Sequence, residues 1–209
     1  MEEARIHAHV CGDGYLTTYL EKRALQVVKG RRYRRPRVRY VVGYSNSELL
    51  LIREFVRDVK SAYGVKCRVL TRGKNFEARL RSRRVFMRLR ELGAGRSREW
   101  IVGEEILRAD ENVRREWLRA FFDDEARIAP DEGRIRVKSV NLRGLRLVSL
   151  MLTSLEIQSR ITGPNSDGTW YLVISRDDVI HYIKKVGFLH PAKIRAAMMI
   201  LKRPSPFKP

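Results

Sequence analysis

Residues 76–93, FEARLRSRRVFMRLRELG, can be written over residues 170–187, WYLVISRDDVIHYIKKVG, without a gap. Leu80 falls on Ile174, Val85 on Val179, Leu89 on Ile183 and Gly93 on Gly187. In both copies the apolar positions first alternate and then step by three and four, so a strand runs into a helix that stops at glycine. The match extends outward. VKCRV (65–69) lies over IQSRI (157–161), and RYVVGYSN (39–46) over RIRVKSVN (134–141), Asn on Asn. A duplication of roughly 90 residues fits only twice into 209. Two copies are too few for a solenoid, which stacks about three or more. The two units must instead cover each other about a pseudo-two-fold axis.

Within a unit the expected order is helix, strand, strand, helix, strand, strand, helix, an α+β fold with a duplicated αββαββα unit. The opening helices are placed at 3–13 and about 111–125. In NSELLLIREFVRDVKSAYGVKCRV (46–69), Asn46 or Ser47 caps a helix, Leu49, Ile52, Val56 and Val59 form its apolar stripe, and Gly64 ends it. The expected division is a first unit at 1–94, a linker at 95–110, a second unit at 111–200 and a frayed Pro-rich tail at 201–209. The first unit is about 17 residues longer, all of it between its first helix and second strand. That insertion is the densest basic stretch: Lys22, Arg23, Lys29, Arg31, Arg32, Arg34, Arg35, Arg37 and Arg39, with no acid among them and Tyr33 and Tyr40 close by.

Charge narrows the partner. Lys plus Arg is 44 and Asp plus Glu is 24, a net +20, which argues for a polyanion. No apolar run approaches the roughly 20 residues of a membrane span, and the N-terminus does not read as a secretory signal. Cys11 and Cys67 form no metal-spaced pair, so a reduced, cytoplasmic setting is expected. An Arg-dominated basic set with only two Gln leans towards a heat-loving source. The strands suit nucleic acid. In RIRVKSV, Arg134, Arg136 and Lys138 alternate with Ile135 and Val137; RVRYVV offers Arg37 and Arg39, and ARLRS offers Arg79 and Arg81. Lys74 joins this set. A strand in the major groove presents alternate side chains to bases and phosphates.

The acids are the exception. IHAHVCGDG (6–14) and LRAFFDDEA (118–126) each end in a carboxylate, Asp13 and Glu125, 112 residues apart. Ala8 and Gly12 share one helix face, and Ala120 and Asp124 hold the matching positions, so the two helix backbones can approach closely. Acids at helix C-termini, side by side, are unfavourable. A divalent cation between the tips would reverse this: Mg²⁺ is commonly held by one or two carboxylates plus phosphate oxygens. Paired acids, metal and phosphate together suggest phosphodiester hydrolysis.

Those two nine-residue stretches resemble the motif of the LAGLIDADG homing endonucleases, and the element order extends the resemblance over almost the whole chain. It implies two antiparallel sheets forming a saddle over double-stranded DNA. It also implies Mg²⁺- or Mn²⁺-dependent cleavage of both strands of a long asymmetric target, leaving short 3′ overhangs. Asp13 and Glu125 fall on the metal-binding acids, with Gly12 and Asp124 beside them. Lys138, and Gln26 in the corresponding hairpin of the first unit, are candidates for orienting water. The chain departs from the motif at Cys11, His7, His9, Arg119, Asp124 and Ala126. His7 and His9 read as packing residues. In Asp123–Asp124–Glu125, register selects Glu125. The resemblance further implies an intron-encoded monomer. The alternative is a non-cutting protein of the same fold, either a maturase acting on its host intron RNA or a DNA-binding regulator.

Overall fold

The computed structural model describes residues 1–175 and 177–202; most of the expected tail lies outside them. The first unit runs α1 (Glu2–Cys11), β1 (Gly14–Val28), β2 (Arg31–Asn46), α2 (Leu49–Tyr63), β3 (Arg68–Arg72), β4 (Asn75–Arg81) and α3 (Arg83–Glu91). A four-residue helix, α4 (Glu104–Leu107), bridges to the second. That unit runs α5 (Glu111–Glu125), β5 (Ala126–Ala129), β6 (Arg134–Ser139), α6 (Leu142–Thr153), β7 (Arg160–Thr162), β8 (Trp170–Ser175) and α7 (Asp177–Lys185). A further helix, α8 (Pro191–Leu201), follows. The two sheets are antiparallel with the same strand order, β1-β2-β4-β3 and β5-β6-β8-β7. This is the expected duplicated α+β architecture.

The aligned apolar residues are what the units bury. Leu80, Ile174, Val85, Val179 and Leu89 are in the core, and Ile183 packs at its margin. Gly93 and Gly187 both take positive φ after their helices, a conformation glycine adopts without strain. In the first sheet, Leu16, Val42, Tyr44, Ala78 and Leu80 turn towards the helices. The opposite face carries Tyr15, Tyr19, Arg37, Arg39, Glu77, Arg79, Arg81, Arg68 and Arg72, cross-paired by register. The segment between the units is packed rather than loose. Trp100, Val102 and Ile106 are buried, and the Asn141 side chain donates to the Trp100 carbonyl at 2.6 Å.

The extra length of the first unit is one long hairpin. Lys29 and Gly30, both at positive φ, make the two-residue turn that matches strand twist. The register shifts between Glu21 and Ala24, so Lys22 and Arg23 sit in a bulge that bends the ribbon. Beyond it the pairs Ala24–Arg35, Gln26–Tyr33 and Val28–Arg31 continue the face of Arg37 and Arg39, while Arg32 and Arg34 point to the other side. The nine basic residues are therefore divided between two faces, the bulge and, for Lys29, the turn.

Candidate active site

The first helix ends two residues earlier than expected. Gly12 is its cap, its N–H donating to the Ala8 carbonyl at 3.0 Å, and Asp13 lies in the turn into β1. Glu125 is the last residue of α5 and β5 follows at once. The helices pack through the expected small residues, with Ala8 and Ala120 fully buried. At Gly12 the approach is so close that a Cβ would lie 2.9 Å from the Asp124 side chain.

The departures from the motif occupy this seam. His7 is fully buried and accepts from Trp117 Nε1 at 2.9 Å. Burial pushes it down to about 3, against Glu3 and a backbone hydrogen bond at Leu92, so it is neutral. His9 Nδ1 lies 2.9 Å from Asp124 Oδ2, and its Nε2 3.6 Å from Glu54. Burial pulls His9 down, but the Asp124 and Glu54 carboxylates outweigh it and raise the imidazole to about 9. Arg119 reaches Glu54 at 2.6 Å and Asp123 at 3.1 Å. Arg5 meets Asp58 at 2.6 and 2.8 Å and Glu116 at 3.0 Å. Such a network adds little net stability, but removing one partner costs about 3–5 kcal/mol, because the other is left buried and unpaired.

The three consecutive acids have three fates. Asp123 accepts from the backbone N–H groups of Leu189 and His190, at 2.9 to 3.1 Å, where α8 begins. Asp124 is held by His9, by the Tyr44 hydroxyl at 2.7 Å and by Asn46 Nδ2 at 3.4 Å. Glu125 accepts no hydrogen bond among the described residues. Burial, then Asp13 and Asp124, push it up to about 7. Asp13 lies at the surface and accepts from Asn46 Nδ2 at 3.1 Å. The protein packed around it and the Asp124 charge push it to about 6. Lys193 on α8 donates to the carbonyls of Phe122 (2.8 Å), Asp123 (2.6 Å) and Asp124 (3.1 Å). A helix end crowded with acid is thus capped by an ammonium from another helix.

Asp13 and Glu125 open into separate recesses. Glu125 shares one with Gly12, Tyr15, Arg96, Trp100 and Lys138. Asp13 shares the other with Asn46, Asn75, His190 and Lys193. Lys138 therefore does stand in the recess of an acid, its Nζ held 2.6 Å from Asp167. Gln26 does not. It pairs with Tyr33 near the hairpin tip, on the order of 35 Å of strand beyond Asp13 at about 3.3 Å per residue, so the expectation that it orients water at the acids is corrected. The insertion that lengthened the hairpin carried it away. Several expected contacts come with acidic partners: Arg39 with Glu21, Arg79 with Glu77, Arg134 and Arg136 with Glu132. Asn46 was legible as the matched asparagine of the duplication. Its side chain accepts the Glu48 N–H at 2.9 Å in the turn ahead of α2. The N-cap is Glu48 and no side chain caps that helix, so the expected cap at Asn46 or Ser47 is corrected. Asn141 does cap α6 through the Gly144 N–H, and of the two only Asn46 reaches an acid. Nothing in the sequence marks Lys193.

Among the described residues no group of three or more His, Cys, Asp and Glu forms a closed metal cage. The donor set at the tips, two carboxylates raised by crowding and neighbouring charge with backbone carbonyls beside them, fits a hard divalent cation that completes its shell with water and phosphate oxygens.

Residues 112–187 match the LAGLIDADG-like domain family. No curated protein sequence matches the chain. Among solved structures, the homing endonuclease I-DmoI in complex with DNA and Mn superposes with a TM-score of 0.65 at 18% identity, over 89% of this chain and 96% of that one. Its complex with DNA and Ca gives 0.66 at 17%, over 94% and 96%. Full-length DUF199/WhiA from Thermatoga maritima gives 0.59 at 13%, over 98% of this chain and 62% of that one. No helix of the described residues is long and apolar enough to cross a membrane. The segment 112–187 thus matches the LAGLIDADG-like domain family, and the chain as a whole shares the two-unit fold of I-DmoI.

Proposed function

We propose that the protein is a site-specific endonuclease that cuts both strands of a long asymmetric DNA duplex by metal-assisted hydrolysis, leaving short 3′ overhangs. One observation carries the reading: of the four carboxylates crowded at the helix tips, Asp123 and Asp124 are consumed by the fold, and Asp13 and Glu125 have no basic side chain bonded to them among the described residues. These two carboxylates would hold Mg²⁺ or Mn²⁺, with the Gly12 carbonyl as a further donor; the Asp124 carbonyl is already bonded by Lys193. When bound, the cation polarises a phosphate oxygen and lowers the pKa of a water. Asn46 orients Asp13. Lys138, which lines the recess of Glu125, would hold a water or a phosphate oxygen. The basic sheet faces and the hairpin bind the duplex, chiefly through phosphates. The fold shared with I-DmoI, solved with DNA and with Mn, supports the reading.

A second reading is favoured by Lys193, whose ammonium already offsets part of the negative charge at the tips. On it the protein binds nucleic acid without cutting, as a maturase on intron RNA or as a regulator.

Asp13→Asn and Glu125→Gln decide between them. Incubated with Mg²⁺ and a library of intron-less insertion-site DNA, the unmodified protein should cut both strands. Each variant should lose most of that activity while binding duplex with nearly unchanged affinity. Mg²⁺ should also raise the melting temperature of the unmodified protein and of neither variant. Binding without cleavage by the unmodified chain would establish the second reading.

A further inference from the structure

Two acids stand on the otherwise basic open face of the first sheet: Glu21, its side chain 38% exposed and paired with Arg39, and Glu77, which is buried. Glu77 on β4 is only 3% exposed. It accepts from the Tyr15 hydroxyl at 2.5 Å, from Arg72 Nε at 2.5 Å, and from Arg79 Nε and Nη2 at 3.2 and 2.9 Å. Arg79 Nε also donates to the Tyr15 hydroxyl at 3.1 Å. The cluster spans all four strands. Tyr15 comes from β1 and Arg72 from β3, and the Tyr15 ring lies over Gly43 of β2, where a Cβ would come within 2.2 Å of it. Register puts these residues on one face: Tyr15 pairs with Gly43, Gly43 with Arg79, and Arg72 with Asn75 two positions before Glu77.

The second unit does not repeat it. The duplication places Arg127, Lys138, Tyr171 and Val173 where the first has Tyr15, Gly43, Glu77 and Arg79. A stripe serving only to neutralise phosphate would gain from a cation at position 77. A buried carboxylate with four donors instead fixes directions. Arg72 is tied to Glu77 through Nε alone; its side chain is 60% exposed, and its two terminal nitrogens make no hydrogen bond among the described residues. An arginine anchored at Nε with both terminal nitrogens outward is the fork that pairs with O6 and N7 of guanine in the major groove.

We infer that Arg72 reads a guanine in the half-site under the first sheet, and that Glu77 is the positioning residue that holds its fork. Phosphate binding alone would need neither the fixed direction nor the acid. The inference rests on duplex DNA being the partner but not on cleavage.

The test is selection of bound duplexes from a randomised library by the full chain without divalent metal, repeated with Glu77→Gln and Arg72→Lys. The unmodified protein should select a site with guanine at one defined position. Both variants should lose discrimination at that same position by on the order of 10- to 100-fold and keep the others. Arg72→Lys preserves charge, so its salt dependence should be unchanged. A merely structural role for Glu77 would weaken all positions together, and that outcome overturns the inference. So does a Glu77→Gln profile identical to the unmodified one, or loss at different positions in the two variants. If Glu77→Gln does not fold, retained guanine preference in Arg72→Lys overturns it alone. Duplex binding by the unmodified chain without any base preference overturns it too, whereas failure to bind duplex at all would instead remove the DNA-binding reading itself.

Discussion

At the residue scale, the motif positions that depart from small and apolar types are the ones wired into the buried seam. His7 gives the cleanest consequence. Its folded form is held neutral, at about 3, against about 6.5 in the unfolded chain. A base with a depressed folded pKa leaves the unfolded state binding more protons below that unfolded value, so stability is lost as pH falls from about 6.5 towards 3. Between pH 6.5 and 4.5 the loss from this group is roughly 2–3 kcal/mol. The crowded carboxylates Asp13, Asp123 and Glu125, all raised, act in the opposite sense on acidification. The measurement is therefore a difference: urea unfolding at several pH values for the unmodified protein and for His7→Gln. The variant should lack the acid-side loss by about that amount. Parallel pH profiles would show that His7 is not the group responsible.

At the element scale, the β1–β2 hairpin turns composition into geometry. Alternation puts Arg31, Arg35, Arg37 and Arg39 on the face continuous with the basic side of the sheet, and Arg32 and Arg34 on the reverse. Of these, Arg39 is paired with Glu21. Arg35→Ala with Arg37→Ala should therefore weaken duplex binding and flatten its salt dependence more than Arg32→Ala with Arg34→Ala. Each lost phosphate contact should reduce the slope of log K against log salt by about 0.9. Fluorescence anisotropy across a salt series reads this directly. Equal effects of the two pairs would mean that the ribbon lies along DNA by charge alone, without a preferred face.

At the scale of the whole molecule, α1 and α5 cover each other, and the residues at their seam are spent on intrachain partners: Arg5 on Asp58 and Glu116, Arg119 on Glu54 and Asp123, His9 on Asp124. A second copy would find no free motif helix to pack on. Light scattering in the absence of DNA should give the mass of one chain, 24.5 kDa, across a wide concentration range. A stable dimer would mean that some surface other than the motif helices associates.

The duplication, the element order, the matched acids and the basic strands were legible in the sequence because each rests on local periodicity or on positions comparable along one chain. Leu80 over Ile174 and Gly93 over Gly187 carry their meaning before any folding is considered. What only the tertiary structure decided depends on contacts far apart in the chain. The sequence could not show that Lys193 would come from α8 to cap the helix carrying Glu125. Nor could it show that Asp124 would be taken by His9 and Tyr44, leaving Glu125 the free acid, or that Gln26 would ride an extended ribbon away from the acids. A charge has no periodicity. Its role depends on which opposite charge the fold brings within a few ångströms, and burial sets how strongly the two are coupled.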